Sequence, residues 1–148
     1  MKVSAFLSPS DVMTDVISGQ KRALLQELAH KAAIALELPE RYVSAELMKR
    51  EELGSTGTGG GVAIPHARVN GVSKPFGLLV KLRQPIDFEA IDGKPVDIVF
   101  LLLLPNTTNG EPLSALACAA RMLRSSSVLR GIRSAATAGD VYSAVTQH

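Results

Sequence analysis

Residues 54–68 read GSTGTGGGVAIPHAR: five glycines within the first eight positions lead into Val62-Ala63-Ile64, and then into Pro65 and His66. Glycine lets backbone N–H groups turn toward a bound anion at little steric cost, and Ser55, Thr56 and Thr58 add hydroxyl donors. The loop therefore reads as a phosphate cradle. Val62 to Ile64 reads as a short buried strand, and Pro65 biases Ile64 toward an extended backbone, which puts His66 at the strand's end. Strand ends are where α/β sheets place their chemistry.

A neutral imidazole has one ring nitrogen free to attack and titrates near neutral pH, which suits it to hold and release a phosphoryl group. Arg50 precedes the loop and Arg68 follows the histidine. Guanidinium groups match phosphate oxygens in two-bond geometry, each charged hydrogen bond contributing roughly 1.5–3 kcal/mol. A glycine-rich segment alone is usually a plain turn, and a lone histidine after a strand is usually solvated. It is their adjacency, between two arginines, that points to an anion site. The familiar nucleotide motifs fail: a P-loop needs Lys and then Ser or Thr where Gly60 and Gly61 stand, and a dinucleotide loop starting at Gly57 needs glycine at Val62.

Arg50-Glu51, Gly54-Ser55-Thr56-Gly57, Gly59, Gly61 and Ala63-Ile64-Pro65-His66 together resemble the phosphohistidine motif of the IIA components of the bacterial phosphotransferase system. The likeness is to the mannitol/fructose type, and within it to the nitrogen-regulatory branch. A second block, Pro85 to Phe88, Asp92-Gly93, Pro95 to Asp97 and Phe100 to Pro105, extends the resemblance over nearly the whole chain. The resemblance implies an α/β fold with a central mixed β-sheet sandwiched between α-helices, in one domain spanning 1–148. It also implies that His66 takes a phosphoryl group from a phosphorylated HPr-like carrier protein, with phosphoenolpyruvate as the ultimate source and Arg50 as the neighbouring arginine. The pattern departs at Pro112, where most relatives carry a second histidine, thought to lie beside the phosphorylated one. Smaller departures are Thr58, Gly60 and Ala67.

Composition is that of an ordinary globular chain: 148 residues, 46% hydrophobic, 20% charged, formal charge +2. Such a length buries roughly 70% of the unfolded surface. The basic residues are spread rather than striped and aromatics are few, so nothing points to nucleic acid. The longest apolar run, Ile98 to Leu104, is far short of the roughly 20 residues of a spanning helix, and no signal peptide is visible. A cytoplasmic location without membrane insertion is the expectation. The three histidines fit no metal-ligand spacing, so neither metal nor cofactor is expected. Cys118, the single cysteine, lies in a helical pattern and reads as structural. His30 reads as a solvated helix residue, and His148 as a frayed terminus.

Leu24, Leu25, Leu28, Ala32 and Leu36 recur at helical spacing after Ser18, and a second helix opens at Pro39-Glu40 and ends before Gly54, with Arg50 in its last turns facing the loop. Pro9-Ser10-Asp11 could open a short helical turn. Phe76 to Leu82 alternates as a half-buried strand, and Val96 to Leu104 reads as the central strand. Between them lies a polar loop, with Phe88 and Ile91 as candidate anchors. Its carboxylates Asp87, Glu89 and Asp92 read first as solvated turn residues. Pro112 suits the first turn of a third helix built on Leu113, Leu116, Ala120 and Leu123. Another helix follows Ser125–Ser127, and Thr137 with Asp140 resembles a capping box.

The expected function is a phosphoryl-accepting regulatory protein, a carrier with a phosphohistidine intermediate rather than a turnover enzyme on a small substrate. His66 is the nucleophile, and Arg50, Ser55, Thr56, Gly57 and Gly59 hold the phosphate. Arg68, Asp87 and Asp92 are candidate partner contacts. Two alternatives stand beside it: a sugar-transport IIA component that passes phosphate to a IIB protein, and a binding-only regulator that Pro112 has left unable to cycle phosphate.

Overall fold

In the computed structural model, which describes residues 1–107 and 110–147, six strands form one mixed sheet. His148 and two positions of the loop after Pro105 lie outside the described residues. The middle of the sheet is β6 (Val96–Pro105), buried at every position but Asp97. It runs antiparallel to β5 (Phe76–Ile86), beyond which β1 (Val12–Val16) pairs in parallel. On its other side β3 (Val62–Ala63) and β4 (His66–Val69) both pair parallel to β6, and β2 (Gly57–Gly59) closes a hairpin onto β3.

Helices cover both faces because β6 is apolar on both. Val99, Leu101 and Leu103 pack under α1 (Lys21–Leu36) and α2 (Glu40–Glu52), with Leu24, Leu28, Val43 and Leu47. Ile98, Phe100, Leu102 and Leu104 pack against α3 (Glu111–Met122), α4 (Ser126–Ser134) and α5 (Ala138–Thr146), with Met122, Val128, Ile132, Val141 and Val145. Ser125 caps α4 by accepting from Val128 N, and Thr137 caps α5 by accepting from Asp140 N.

Several expectations shift. The unsettled N-terminal stretch is a 3-10 turn at Pro9–Asp11 followed by β1. The strand expected to end near Leu82 continues to Ile86, so the polar loop is shorter than its composition indicates. Phe88 is a fully buried anchor, but Ile91 is 80% exposed and anchors nothing. Cys118 is buried, its thiol 3.3 Å from the Met1 carbonyl, and His30 is an exposed helix residue 3.0 Å from Glu40 Oε2.

Candidate functional site

The run Val62 to Val69 is one path along β6 broken in the middle. Val62 and Ala63 sit opposite Ile98 and Val99, and His66 to Val69 sit opposite Leu102 to Pro105. Between them stands Pro65, which has no N–H for a ladder; its carbonyl still accepts from Leu102 N at 2.9 Å. His66 thus opens a strand instead of ending one, which corrects the expectation from the sequence. The consequence is chemical: at this break the Ile64 carbonyl accepts from His66 Nδ1 at 2.8 Å. A carbonyl only accepts, so Nδ1 carries the proton and Nε2 keeps its lone pair.

Arg50, in the last turn of α2, meets that lone pair: its Nε donates to His66 Nε2 at 3.3 Å, and its Nη1 donates to the Gly54 carbonyl at 3.0 Å. Burial holds the imidazole below its ordinary pKa of 6.5, and the Arg50 charge pushes the same way. The Ile64 hydrogen bond and the Glu51 carboxylate oppose them without prevailing. The site presents a neutral, half-buried imidazole with one nucleophilic nitrogen beside a fixed guanidinium.

The loop between α2 and β3 is tied inward. Thr56 donates its N–H to Glu51 Oε2 at 2.8 Å and its hydroxyl to Glu51 Oε1 at 2.6 Å. Ser55 donates its hydroxyl to the Phe88 carbonyl at 2.8 Å, and its oxygen accepts from Gly57 N at 3.0 Å. These hydroxyls hold the loop's shape, where the sequence offered them as phosphate donors. Gly59, Gly60 and Gly61, at φ +103°, +69° and +82°, make the turn that folds β2 back on β3. Gly60 N donates to Asp92 Oδ2, and the Gly60 carbonyl accepts from Arg133, which also pairs with Asp97. The glycine run serves hairpin geometry first, and Arg50 is the candidate phosphate ligand whose side chain bonds to His66.

The three candidate partner contacts also have internal work. Arg68 Nη1 donates to the Thr107 carbonyl at 2.7 Å. Asp87 accepts from Glu89 N, and Asp92 accepts from Gly60 N and Lys94 N, bonds that hold its carboxyl below the usual range. Asp87 and Asp92 remain exposed, as turn residues. Sequence reasoning missed Lys21, whose ammonium lies 2.8 Å from Glu51 Oε2 and 4.9 Å from the centre of the Phe88 ring. It missed Arg133 as well; both residues lie far from the motif along the chain.

With this geometry in place, residues 5–148 match the EIIA 2 family of the phosphoenolpyruvate-dependent sugar phosphotransferase system. The chain belongs to that family. Among its relatives, the nitrogen regulatory protein of Bradyrhizobium diazoefficiens is 42% identical over 143 residues, covering 97% of this chain and 94% of that protein. The crystal structure of the nitrogen regulatory protein IIA-Ntr from Neisseria meningitidis aligns with TM-score 0.91 at 35% identity, over 97% of this chain and 99% of the other. IIA mannitol from Escherichia coli shares the fold, with TM-score 0.77 at 16% identity over 93% and 97% of the two chains. No described helix of this IIA chain is long and apolar enough to cross a membrane.

Proposed function

We propose that this chain is a nitrogen-related regulatory IIA protein that accepts a phosphoryl group on Nε2 of His66 from a phosphorylated HPr-like carrier, and whose phosphorylation state regulates partner proteins. The observation that carries the reading is the pair of bonds on the imidazole, Nδ1 to the Ile64 carbonyl and Nε2 to Arg50. The Nε2 lone pair attacks phosphorus, the bond from phosphorus to the carrier's side chain breaks, and its electrons return to the carrier. Nδ1 keeps its proton throughout, so the Ile64 bond survives the transfer. Arg50 releases Nε2 and turns its donors to the phosphoryl oxygens, adding charge-assisted bonds where negative charge arrives. Ser55, Thr56, Gly57 and Gly59 hold the loop beside it. Arg68, Asp87 and Asp92 contribute exposed polar surface to docking.

The nitrogen-regulatory relatives, covered almost end to end, support a regulatory output over relay to a sugar. Pro112, buried in the first turn of α3, is compatible with the transfer because the Nδ1 proton already has its acceptor in Ile64. The test is intact mass after incubation with phosphoenolpyruvate, the first enzyme of the relay and the HPr-like carrier. Wild-type protein gains about 80 Da, one phosphoryl group, and His66→Ala gains nothing. If wild-type protein gains nothing, the acceptor reading fails and the chain acts by binding alone.

A further inference from the structure

Next to Arg50 on α2, Glu51 has its side chain buried in the protein, only 7% exposed. It accepts two hydrogen bonds there, from the Thr56 N–H at 2.8 Å and from the Thr56 hydroxyl at 2.6 Å, and forms an ion pair with Lys21 Nζ at 2.8 Å. Thr56 is itself 3% exposed, and its carbonyl accepts from Ile64 N at 3.0 Å. The Ile64 carbonyl in turn accepts from His66 Nδ1. A continuous path therefore runs from an ion pair on α1 and α2, across the loop, to the ring proton of the nucleophile.

We propose that Glu51 is a positioning residue for His66: tied to Lys21, its carboxylate clamps Thr56, and the Thr56–Ile64 bond holds in place the carbonyl that fixes the imidazole tautomer. The physical need is specific. A neutral imidazole left to itself populates both tautomers, and the one protonated on Nε2 has no lone pair where the phosphoryl group must arrive. The Ile64 carbonyl adds to the Arg50 donor in selecting the productive form only while it stays at hydrogen-bond distance. Pro65 deprives this segment of the ladder bonds its own N–H would make, though its carbonyl keeps one to Leu102 N. Thr56 replaces them, and a carboxylate has the acceptor capacity for both Thr56 donors and the ammonium. One helical turn of α2 thereby serves both ring nitrogens, Arg50 at Nε2 directly and Glu51 at Nδ1 through the loop. This inference rests on the reading of His66 as phosphoryl acceptor.

The experiment uses Glu51→Gln, Thr56→Val and Thr56→Ser in the full chain, with the His66 ring nitrogens observed by ¹⁵N NMR in the unphosphorylated protein. A carboxamide offers one acceptor oxygen to the two Thr56 donors and carries no charge for Lys21, so Glu51→Gln is expected to lower the Nδ1–H tautomer fraction. Its phosphorylation rate from the carrier should fall roughly tenfold or more, the scale of a misplaced reacting group, with unchanged circular dichroism. Thr56→Val should do the same, and Thr56→Ser, which keeps the hydroxyl, should retain wild-type tautomer and rate. Wild-type ring-nitrogen shifts in Glu51→Gln overturn the inference. If that variant does not fold, wild-type shifts in Thr56→Val overturn it instead. The NMR readout needs no phosphate, so a wild-type protein that shows the tautomer effect but takes no mass from the carrier sinks the acceptor reading and not the clamp.

Discussion

His66 shows how a backbone detail becomes a chemical property. Burial first, and the Arg50 charge after it, disfavour the imidazolium, so the folded ring titrates below its ordinary 6.5. NMR titration of the ring should therefore give a midpoint below 6.5, and phosphoryl acceptance should decline only as pH falls through that lowered midpoint. A midpoint at or above 6.5 would contradict the assignment. The same shift enters stability. Between the two midpoints the unfolded chain binds a proton at this residue that the folded chain does not, so acid favours unfolding there. The His66 contribution is complete above about pH 6.5 and is lost as pH falls through the folded midpoint. Denaturant midpoints measured at pH 7 and pH 5 should drop more for wild type than for His66→Ala, because removing the ring removes this share of the slope.

The β2–β3 hairpin is the element on which the site loop depends, and it is built without room to spare. A Cβ at Gly57 would lie 2.8 Å from both the Cα and the Cβ of Ala90. Gly57→Ala should cost about 1–3 kcal/mol as overpacking, seen as a lower urea midpoint at unchanged slope. No loss would mean that the segment near Ala90 yields freely. Glycine at 57 is thus a packing requirement, and glycine at 59–61 a requirement of positive φ. Both look identical to an anion cradle in the sequence, which is why the loop's composition indicated phosphate donors where the structure has a tied turn. The long elements were legible because their apolar spacing is strong: α1, α2, α3 and β6 all lie where the periodicity puts them. The break at Pro65 was legible only as a bias on Ile64, since nothing local says that the chain resumes the same path along β6. His66 and Arg50 were legible as a pair. Lys21 was not, because an ion pair between α1 and α2 leaves no local pattern around either partner.

In the molecule as a whole, the charged side chains of the proposed site come from one face of the sheet. Arg50, Glu51 and Lys21 come from α1 and α2 on one face. On the other face Phe100 is fully buried, its ring 6.0 Å from that of Phe6, and its Cε1 would lie 2.6 Å from a Cβ at Gly77. Phe6 also accepts from Gly77 N at 2.7 Å, so the N-terminal turn, β5 and β6 meet at this ring. Phe100→Ala should cost about 3–5 kcal/mol, a large share of the roughly 5–15 kcal/mol that a domain has in total. Yet Phe100 makes none of the hydrogen bonds that fix His66, although the cluster it belongs to includes the Ile64 side chain beside residues of the N-terminal turn and α3 to α5. The variant should unfold at much lower urea and still take a phosphoryl group at close to the wild-type rate, when assayed at a temperature where it is folded. A parallel collapse of rate in the folded variant would mean that the two faces are coupled through β6, and that the Leu102 N–H to Pro65 bond transmits strain from the core to the imidazole.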